Sequence, residues 1–536
     1  MPIVNKALAA AKHKVRNVIV KQRREDAAKT AVHNMSEFPE RDHDFDQGVR
    51  SGTHVECAHC TGSDPLYILY TSGTTGKPKG ILRDNSHTVP LAWTMEGFMG
   101  CKPGEAFFCG ADVGWAVGHS YTVYAPLIAG CTTILYEGKP VGTPDAAAYW
   151  RIVEKHRPTG MFTAPTALRA IRQHDPDGSL MRKCDTSSLR TLFVAGERAD
   201  PDTVNHFQRL LGVAVVDHWW QTESGTPMSG IQIDGVGTTP GSCGLPVPGY
   251  DIAVLDPSTG AKLSEPRAVG DIAIKLPLPP GFMSTLFQND DLFIKTYFSK
   301  YPGYYQTGDC GFKDANGYIH VMARTDDVIN VAGHRLTTGQ LEEICISHPA
   351  VVECAVVGTK DAIKGLVPVA LLVTSDRNSS EEQLAKVSND VVDMVREQLG
   401  AWACLKRAAV VHALPKTRSG KILRNVIRAI SDGRPYVVPP TIEDAGVLDG
   451  IKAAIQRMGY GVDAKSVPQG ASPTCDDAAD VTAQLSAGIG GINAIVMEDP
   501  VGASSPKRAH DINDAESLNI PPPSMPRRDD CNVGAD

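Results

Sequence analysis

The chain contains no run of eighteen consecutive apolar residues, so no helix able to cross a bilayer is expected. A cysteine framework is also missing. Its 13 cysteines are scattered over 536 residues, the pattern of free thiols in a reducing compartment rather than of a stapled secreted scaffold. Cys57 and Cys60, flanked by His54 and His59, have zinc-like spacing. No second Cys-x-x-Cys pair joins them, so a loop with free thiols is expected there. Positive charge is not in excess: Lys and Arg number 53 against 61 Asp and Glu, a net charge of −8. That balance gives no reason to expect nucleic acid or an anionic membrane as partner. Aromatic residues stop at Tyr460, and 461–536 drifts through "SPTCDDAAD" and "PPPSMPRRDD". Such a tail has little material for a core and is expected to be disordered.

No secretory signal is expected at the start of the chain. Lys6, Lys12, Lys14, Arg16, Lys21, Arg23 and Arg24 precede the first acid, Glu25, which resembles a mitochondrial transit peptide. Residues 18–20 nevertheless read as a short strand after a helix at about 4–13, which is ordinary α/β material. Either the cytoplasm or the mitochondrial matrix suits the composition.

Hydrophobic content of 42% and charged content of 21% suit a globular protein of more than one domain. From 64 to about 256, strand-like runs (67–70, 132–136, 161–164, 191–194 and 213–217) alternate with helical patterns such as 145–156 and 166–174. This predicts an α/β fold with a parallel sheet under covering helices. The stretch 244–324 is richer in Gly, Pro and short strands and reads as a β-rich subdomain. Beyond it, Thr337 and Gln340 suit a capping box for a helix reaching 348. A strand at 351–357 and a helix at 381–399 complete a compact α+β module ending near Pro435.

Residues 70–80 read "YTSGTTGKPKG" and follow an apolar run. Thr71, Ser72, Thr74 and Thr75 bring hydroxyls, Lys77 and Lys79 bring charge, and Gly73, Gly76 and Gly80 let the backbone turn and approach a ligand closely. A polyphosphate fits such donors. The stretch is not the usual P-loop, because Gly73 and Gly76 are too close and Pro78 stands where that motif has Ser or Thr. On these residues alone, a plain turn with solvated lysines remains open.

Four further stretches follow in order: "DHWWQTESG" (217–225), "YYQTGDCG" (304–311), "RTDDVINVAGHR" (324–335) and "LPKTRSGKILR" (414–424). Together the five strongly resemble the signature motifs of adenylate-forming enzymes, the acyl-CoA synthetases among them. Trp219 and Trp220 resemble the short-chain members. The stretches "ADVGWAVGHSYTVYAPLIAGCTTILYEGKPVGTPDA" and "FVAGERAD" are most similar to propionyl-CoA synthetases. The resemblance implies a large adenylation domain over 1–326, layered α/β plus a β-rich part, and a small mobile α+β domain over 327–460. It runs from about Pro2 to Gly459, and it implies that roughly 200 residues of the family's large domain, a domain's worth, would precede Met1. The basic start is then strand and helix rather than transit peptide.

The implied chemistry is activation of a carboxylate by attack on the α-phosphate of ATP, giving acyl-AMP and pyrophosphate, after which coenzyme A displaces AMP. By the resemblance, the loop of Thr71, Ser72, Gly73, Thr74, Thr75, Gly76, Lys77 and Lys79 wraps the β and γ phosphates. Gly196, Glu197 and Arg198 lie against adenine, as do Asp217, His218, Trp219, Trp220 and Gln221. Thr222 approaches the α-phosphate and Glu223 holds Mg²⁺. Asp309 accepts from the ribose hydroxyls, Arg324 assists there, and Arg335 reaches the phosphates. Lys421 bridges carboxylate and α-phosphate, Asp326 is the hinge, Gly333 lines the pantetheine path, and Arg396 pairs with a phosphate of coenzyme A. Trp115, Ala116, Ala195 and Trp220 would wall the acyl pocket. Ala195 stands where acetyl-CoA synthetases typically carry Val, which opens about one methylene of room and favours propionate over acetate by only about 1–3 kcal/mol. The alternative is a non-catalytic remnant that binds nucleotide or a partner.

Overall fold

The computed structural model describes residues 2–12, 15–22, 38–71, 78–231, 239–331, 334–361, 365–376, 379–417, 420–439 and 442–467. Short apolar runs generate its central sheet. The strands Ala106–Cys109, Thr132–Ile134, Gly160–Thr163, Thr191–Val194 and Ala214–Asp217 are all parallel, with the first two in reversed spatial order at one edge. Gly160–Thr163 is buried along its whole length, as a parallel strand covered on both faces requires. The covering helices Ala148–His156, Pro165–His174 and Pro201–Leu211 each bury one stripe: Tyr149, Trp150 and Val153 on the first, Leu168 and Ile171 on the second, Val204 and Phe207 on the third. That is the three-and-four spacing of an amphipathic helix. Proline opens the second and third, where a missing N–H costs nothing.

The run expected at 67–70 is a strand, Pro65–Thr71, but it lies outside the parallel sheet. It pairs antiparallel with Lys79–Asp84, which in turn pairs with Thr285–Leu286. Thr71 stands opposite Lys79, so the glycine-rich loop returns the chain directly, whereas a parallel neighbour needs a long crossover. At the start of the chain, the helix Pro2–Ala10 is followed by the strand Val18–Val20, which pairs in parallel with Asp42–Asp44.

The β-rich part is a four-stranded antiparallel sheet of Ile252–Leu255, Gly270–Lys275, Tyr304–Lys313 and Ile319–Arg324. One 3₁₀ turn, Thr325–Asp327, leads from it into a second sheet. There His334–Leu336, Ile329–Val331, Gly365–Thr374 and Val351–Asp361 are antiparallel neighbours, and Ala408–Val410 adds in parallel to Gly365–Thr374. The helix Thr338–Ile346 begins with the capping box of Thr337 and Gln340, and Glu381–Leu399 with one of Ser380 and Gln383.

The module does not end near Pro435. Leu448, Ile451, Ala454 and Ile455 of the helix Val447–Arg457 share one core with Val426, Ile427 and Ile430. Ala464 is buried in the same core, and Ser466–Val467 pairs with Tyr436–Val437, so packed chain also continues past the expected tail boundary at 461. The remainder of that tail, 468–536, lies outside the described residues. Cys57 and Cys60 are exposed free thiols, and no group of three or more His, Cys, Asp or Glu side chains suited to a metal occurs among the described residues. Among those residues no helix is long and apolar enough to cross a membrane.

The register shifts at Cys310 and Gly311, where Tyr304–Lys313 crosses Ile319–Arg324. A Cβ at Gly311 would stand 2.0 Å from the His320 carbonyl oxygen, so no side chain fits this crossing. Gly311→Ala should therefore destabilise the protein by about 1–3 kcal/mol, seen as a lower thermal midpoint; an unchanged midpoint would show that the two strands can part freely.

Candidate active site

Two loops leave the carboxyl ends of neighbouring parallel strands, the crevice where open α/β sheets bind ligands. Ala195, Gly196, Glu197 and Arg198 follow Val194, and His218, Trp219, Trp220, Gln221 and Thr222 follow Asp217. Asp309 faces them from the middle of Tyr304–Lys313. It is only 6% exposed, and a buried carboxylate has to be supplied with donors. Trp219 Nε1 donates to its Oδ2 at 3.0 Å, Gln221 Nε2 to the same oxygen at 2.7 Å, and Arg324 to Oδ1 at 3.0 Å. Arg324 is the direct cross-strand neighbour of Asp309, and that carboxylate raises its pKa further above the usual arginine value. Gln221 also donates to the Thr307 carbonyl at 2.7 Å and accepts from Tyr305 Oη at 3.1 Å.

The turn carrying Thr222 and Glu223 is held from beneath by Arg83. This fully buried guanidinium donates to the carbonyl oxygens of Gly281 at 2.6 Å and Ser224 at 3.2 Å, and also to that of Thr222. Gly225 has φ 71°, and a Cβ on it would lie 2.7 Å from the Arg83 guanidinium carbon. Glu223 is half-buried, and its Oε1 accepts from Tyr297 Oη at 2.7 Å. Lys79 Nζ donates to the same Tyr297 oxygen at 2.8 Å. Burial lowers the Lys79 pKa; Glu223 opposes that shift and Arg324 adds to it.

Glu197 and Arg198 are engaged in different directions, Glu197 with the helix Pro165–His174 and Arg198 with the second module. Glu197 accepts from Thr166 and, at 2.6 Å, from Arg169. Arg198 donates to Glu343 at 2.8 Å and to the Gly339 carbonyl at 3.4 Å. Gly420 packs so closely on Thr166 that a Cβ would meet its Oγ1 at 3.1 Å. Lys421 comes next. Its side chain keeps solvent-exposed surface, yet the surrounding protein and then Arg324 lower its pKa, opposed by Asp309 and Asp327. Lys421 therefore shares the field of the Asp309–Arg324 pair. Arg428 pairs with Asp327 beside the exposed Asp326, at the single turn joining the two sheets.

The apolar side of the crevice is built on Trp220. Its ring meets Tyr121 edge-on, with centroids 5.7 Å apart at 88°, and lies 6.4 Å from Phe162. Ala195 is buried in the same cluster. Ala116 is buried too, and Trp115, at the start of Ala116–Gly118, is 41% exposed. Asp217 and His218 are core residues at the strand end. The Asp217 carboxyl accepts from the Ala199 N–H at 3.4 Å, and burial raises its pKa far above the usual range. The His218 ring packs 4.8 Å from Phe162 and 5.4 Å from Phe98, and burial pushes its pKa down to about 3. The imidazole of His218 therefore stays neutral in the fold.

Ser72, Gly73, Thr74, Thr75, Gly76, Lys77 and Gly333 lie outside the described residues, and only the backbone of Arg335 is described, in the strand His334–Leu336. Arg396 is exposed in the last turn of Glu381–Leu399. Arg83, Tyr297 and Tyr121 were not foreseen from the sequence. Arg83 could have been, because a lone arginine beside Ile81 and Leu82 in a strand must find partners.

Two family profiles match the chain: AMP-binding enzyme over residues 3–284, and AMP-binding enzyme C-terminal domain over 340–421. The chain belongs to the AMP-binding enzyme family. Within the family it is 48% identical over 459 residues to an uncharacterized protein of Pseudomonas aeruginosa, covering 85% of this chain and 71% of that one. It is 46% identical over 466 residues to the mitochondrial acyl-CoA synthetase short-chain family member 3 of Rattus norvegicus, covering 85% and 66%. With the propionate–CoA ligase of Escherichia coli K12, identity is 42% over 466 residues, covering 85% and 72%. The chain thus spans about two thirds of the length of these relatives. A crystal structure of the anthranilate CoA ligase AuaEII in complex with anthranoyl-AMP shares the adenylate-forming fold, with a TM-score of 0.65, 23% identity, and coverage of 80% of this chain and 76% of that one.

The buried His218 gives a pH prediction. Its folded pKa lies below the ordinary value of 6.5, so the unfolded chain takes up a proton that the folded chain refuses. Stability then falls as pH drops below about 6.5, by up to ~1.4 kcal/mol per pH unit from this group. His218→Phe, which keeps an aromatic ring against Phe162, should lose less of its thermal midpoint between pH 7 and pH 5 than the parent chain. An equal or larger loss would contradict the buried, neutral imidazole.

Proposed function

We propose that the protein is an ATP-dependent short-chain acyl-CoA synthetase, an AMP-forming acid–thiol ligase that takes propionate first and acetate second. The observation that carries this reading is the convergence of Asp309, Arg324, Gln221, Glu223 and Lys421 on one crevice at the carboxyl ends of a parallel sheet. The names of the short-chain and propionate-specific relatives support the substrate class.

In this reading the ribose hydroxyls bind at Asp309, and Thr222 and Lys421 face the α-phosphate. An ammonium on a long stem is a compact charge, suited to drawing the substrate carboxylate towards phosphorus and stabilising the charge that develops there. The Gly196, Glu197 and Arg198 segment offers backbone to adenine, because both its charged side chains are already engaged. The loop from Ser72 to Lys77, with Thr71 and Lys79 at its ends, and Arg335 take the outer phosphates. Glu223 suits Mg²⁺: one carboxylate oxygen is held by Tyr297, and among the described residues no hydrogen bond to the other occurs, and Mg²⁺ beside a nucleotide usually needs only one or two carboxylates plus phosphates. When bound, the ion would neutralise phosphate charge. Lys421 and Asp326 both lie at the junction of the two sheets, where a hinge turn could swing the module and bring Gly333 and Arg396 to coenzyme A. The mitochondrial relatives support the matrix as one compartment, with the cytoplasm as the other.

Propionate-dependent exchange of pyrophosphate into ATP tests the reading, with thioester formation from supplied propionyl-AMP assayed separately. Lys421→Ala should lower exchange by the equivalent of about 3–4 kcal/mol and leave the second step intact. Nucleotide binding without propionate-dependent exchange by the parent chain would support the non-catalytic reading instead. Ala195 beside Trp220 leads to a second expectation. Ala195→Val should shift kcat/KM towards acetate by roughly tenfold, and octanoate should be near inert; octanoate turned over as well as propionate would contradict the pocket.

A further inference from the structure

Lys79 and Glu223 stand on opposite sides of a single phenol. Tyr297 is the last residue of the helix Asp290–Tyr297. Its Oη donates to Glu223 Oε1 at 2.7 Å and accepts from Lys79 Nζ at 2.8 Å. The ring is fixed independently of that oxygen: it stacks on Tyr305 at 5.3 Å and 14°, and lies 5.9 Å from Phe293. The Lys79 ammonium sits 4.7 Å from the ring centroid. Among the described residues Lys79 and Glu223 form no direct ion pair, and each reaches the other only through the phenol.

A direct pair in this half-buried place would commit the two charges to each other. A neutral group between them has the opposite effect. The carboxylate spends one lone pair on the phenol and keeps its second oxygen, while the ammonium keeps two of its three donors. A phenol is neutral at physiological pH. We propose that Tyr297 is a positioning residue that holds Glu223 and Lys79 apart, keeping the carboxylate open to the divalent cation that accompanies ATP and the ammonium open to phosphate. This rests on the ligase reading of the same crevice. Tyr297 touches no reacting atom. It acts through Glu223, in the way that outer partners of metal ligands are worth about 10–100-fold in affinity or activity.

Tyr297→Phe keeps the ring stack and removes only the bridging oxygen, whereupon Lys79 and Glu223 can collapse onto each other. ATP binding to the full chain is measured by calorimetry in excess Mg²⁺ and again in EDTA. The parent should bind ATP more tightly with Mg²⁺. In Tyr297→Phe that Mg²⁺-dependent gain should shrink by about 10–100-fold, while affinity in EDTA falls by less, through the loss of the Lys79 contact to phosphate alone. Replacing the cation as well, in Tyr297→Phe with Lys79→Gln, should restore part of the gain, which a purely structural role for the ring would not do. Equal weakening in both media, no change in either, or no recovery in the double variant would each overturn the proposal. If Tyr297→Phe does not fold, Lys79→Gln alone decides: with no cation to hold off, the Mg²⁺-dependent gain should persist, and its collapse would overturn the proposal. A parent chain that binds ATP and Mg²⁺ as described but shows no propionate-dependent exchange would overturn the ligase reading while leaving the spacer role standing.

Discussion

Burying the carboxylate of Asp309 is the demand around which the crevice is organised. An ionised acid at this depth costs several kcal/mol unless donors surround it, and here they come from separate segments. Trp219 and Gln221 leave the end of the parallel sheet, and Arg324 crosses from the adjacent antiparallel strand. Satisfying one acid therefore aligns two sheets that the chain builds independently. The same acid lies in the field of Lys421 from the second module. Gln221 extends the network by accepting from Tyr305, whose ring stacks on Tyr297. The crevice is thus a single polar framework with an apolar wall of Trp220, Tyr121 and Phe162 at its side.

The second module meets the first through close approaches as well as through ion pairs, Arg198 with Glu343 and Lys139 with Glu443. A Cβ on Gly339 would lie 2.2 Å from the Met322 carbonyl oxygen, so the helix Thr338–Ile346 rests directly on the strand Ile319–Arg324. Gly420 rests on Thr166 in the same manner. Between them, Arg198 ties the loop after Val194 to Glu343. Small residues at both contacts let the surfaces touch without interlocking side chains, an arrangement compatible with a module that swings about the turn Thr325–Asp327.

Much of the architecture was legible where local chemistry and pattern agreed. The strands at 191–194 and 214–217 and the capped helix Thr338–Ile346 follow from apolar runs, turn residues and Thr337 with Gln340, all local signals. The strand at 65–71 was recognised but assigned to the wrong sheet, because pairing direction depends on the loop that follows it. The end of the second module was missed because the helix Val447–Arg457 follows a polar, proline-bearing stretch that reads as a terminus, and only its packing on Ile427 and Ile430 shows otherwise. In the crevice, motif residues such as Asp309 and Gln221 stand together, whereas Asp217 and His218 prove to be core. Arg83 and Tyr297 belong to no motif. They matter through partners 139 and 74 positions away in the chain, and sequence pattern carries no trace of such pairs.

The central claim is that one buried acid holds the crevice segments together. Hydrogen exchange of Asp309→Asn against the parent chain tests it most directly, because the amide keeps the shape and removes the charge. The account predicts faster exchange together in 217–225, 304–311 and around Arg324, with the sheet strand Val351–Asp361 unchanged. Faster exchange confined to the neighbours of residue 309, with 217–225 still protected, would contradict it.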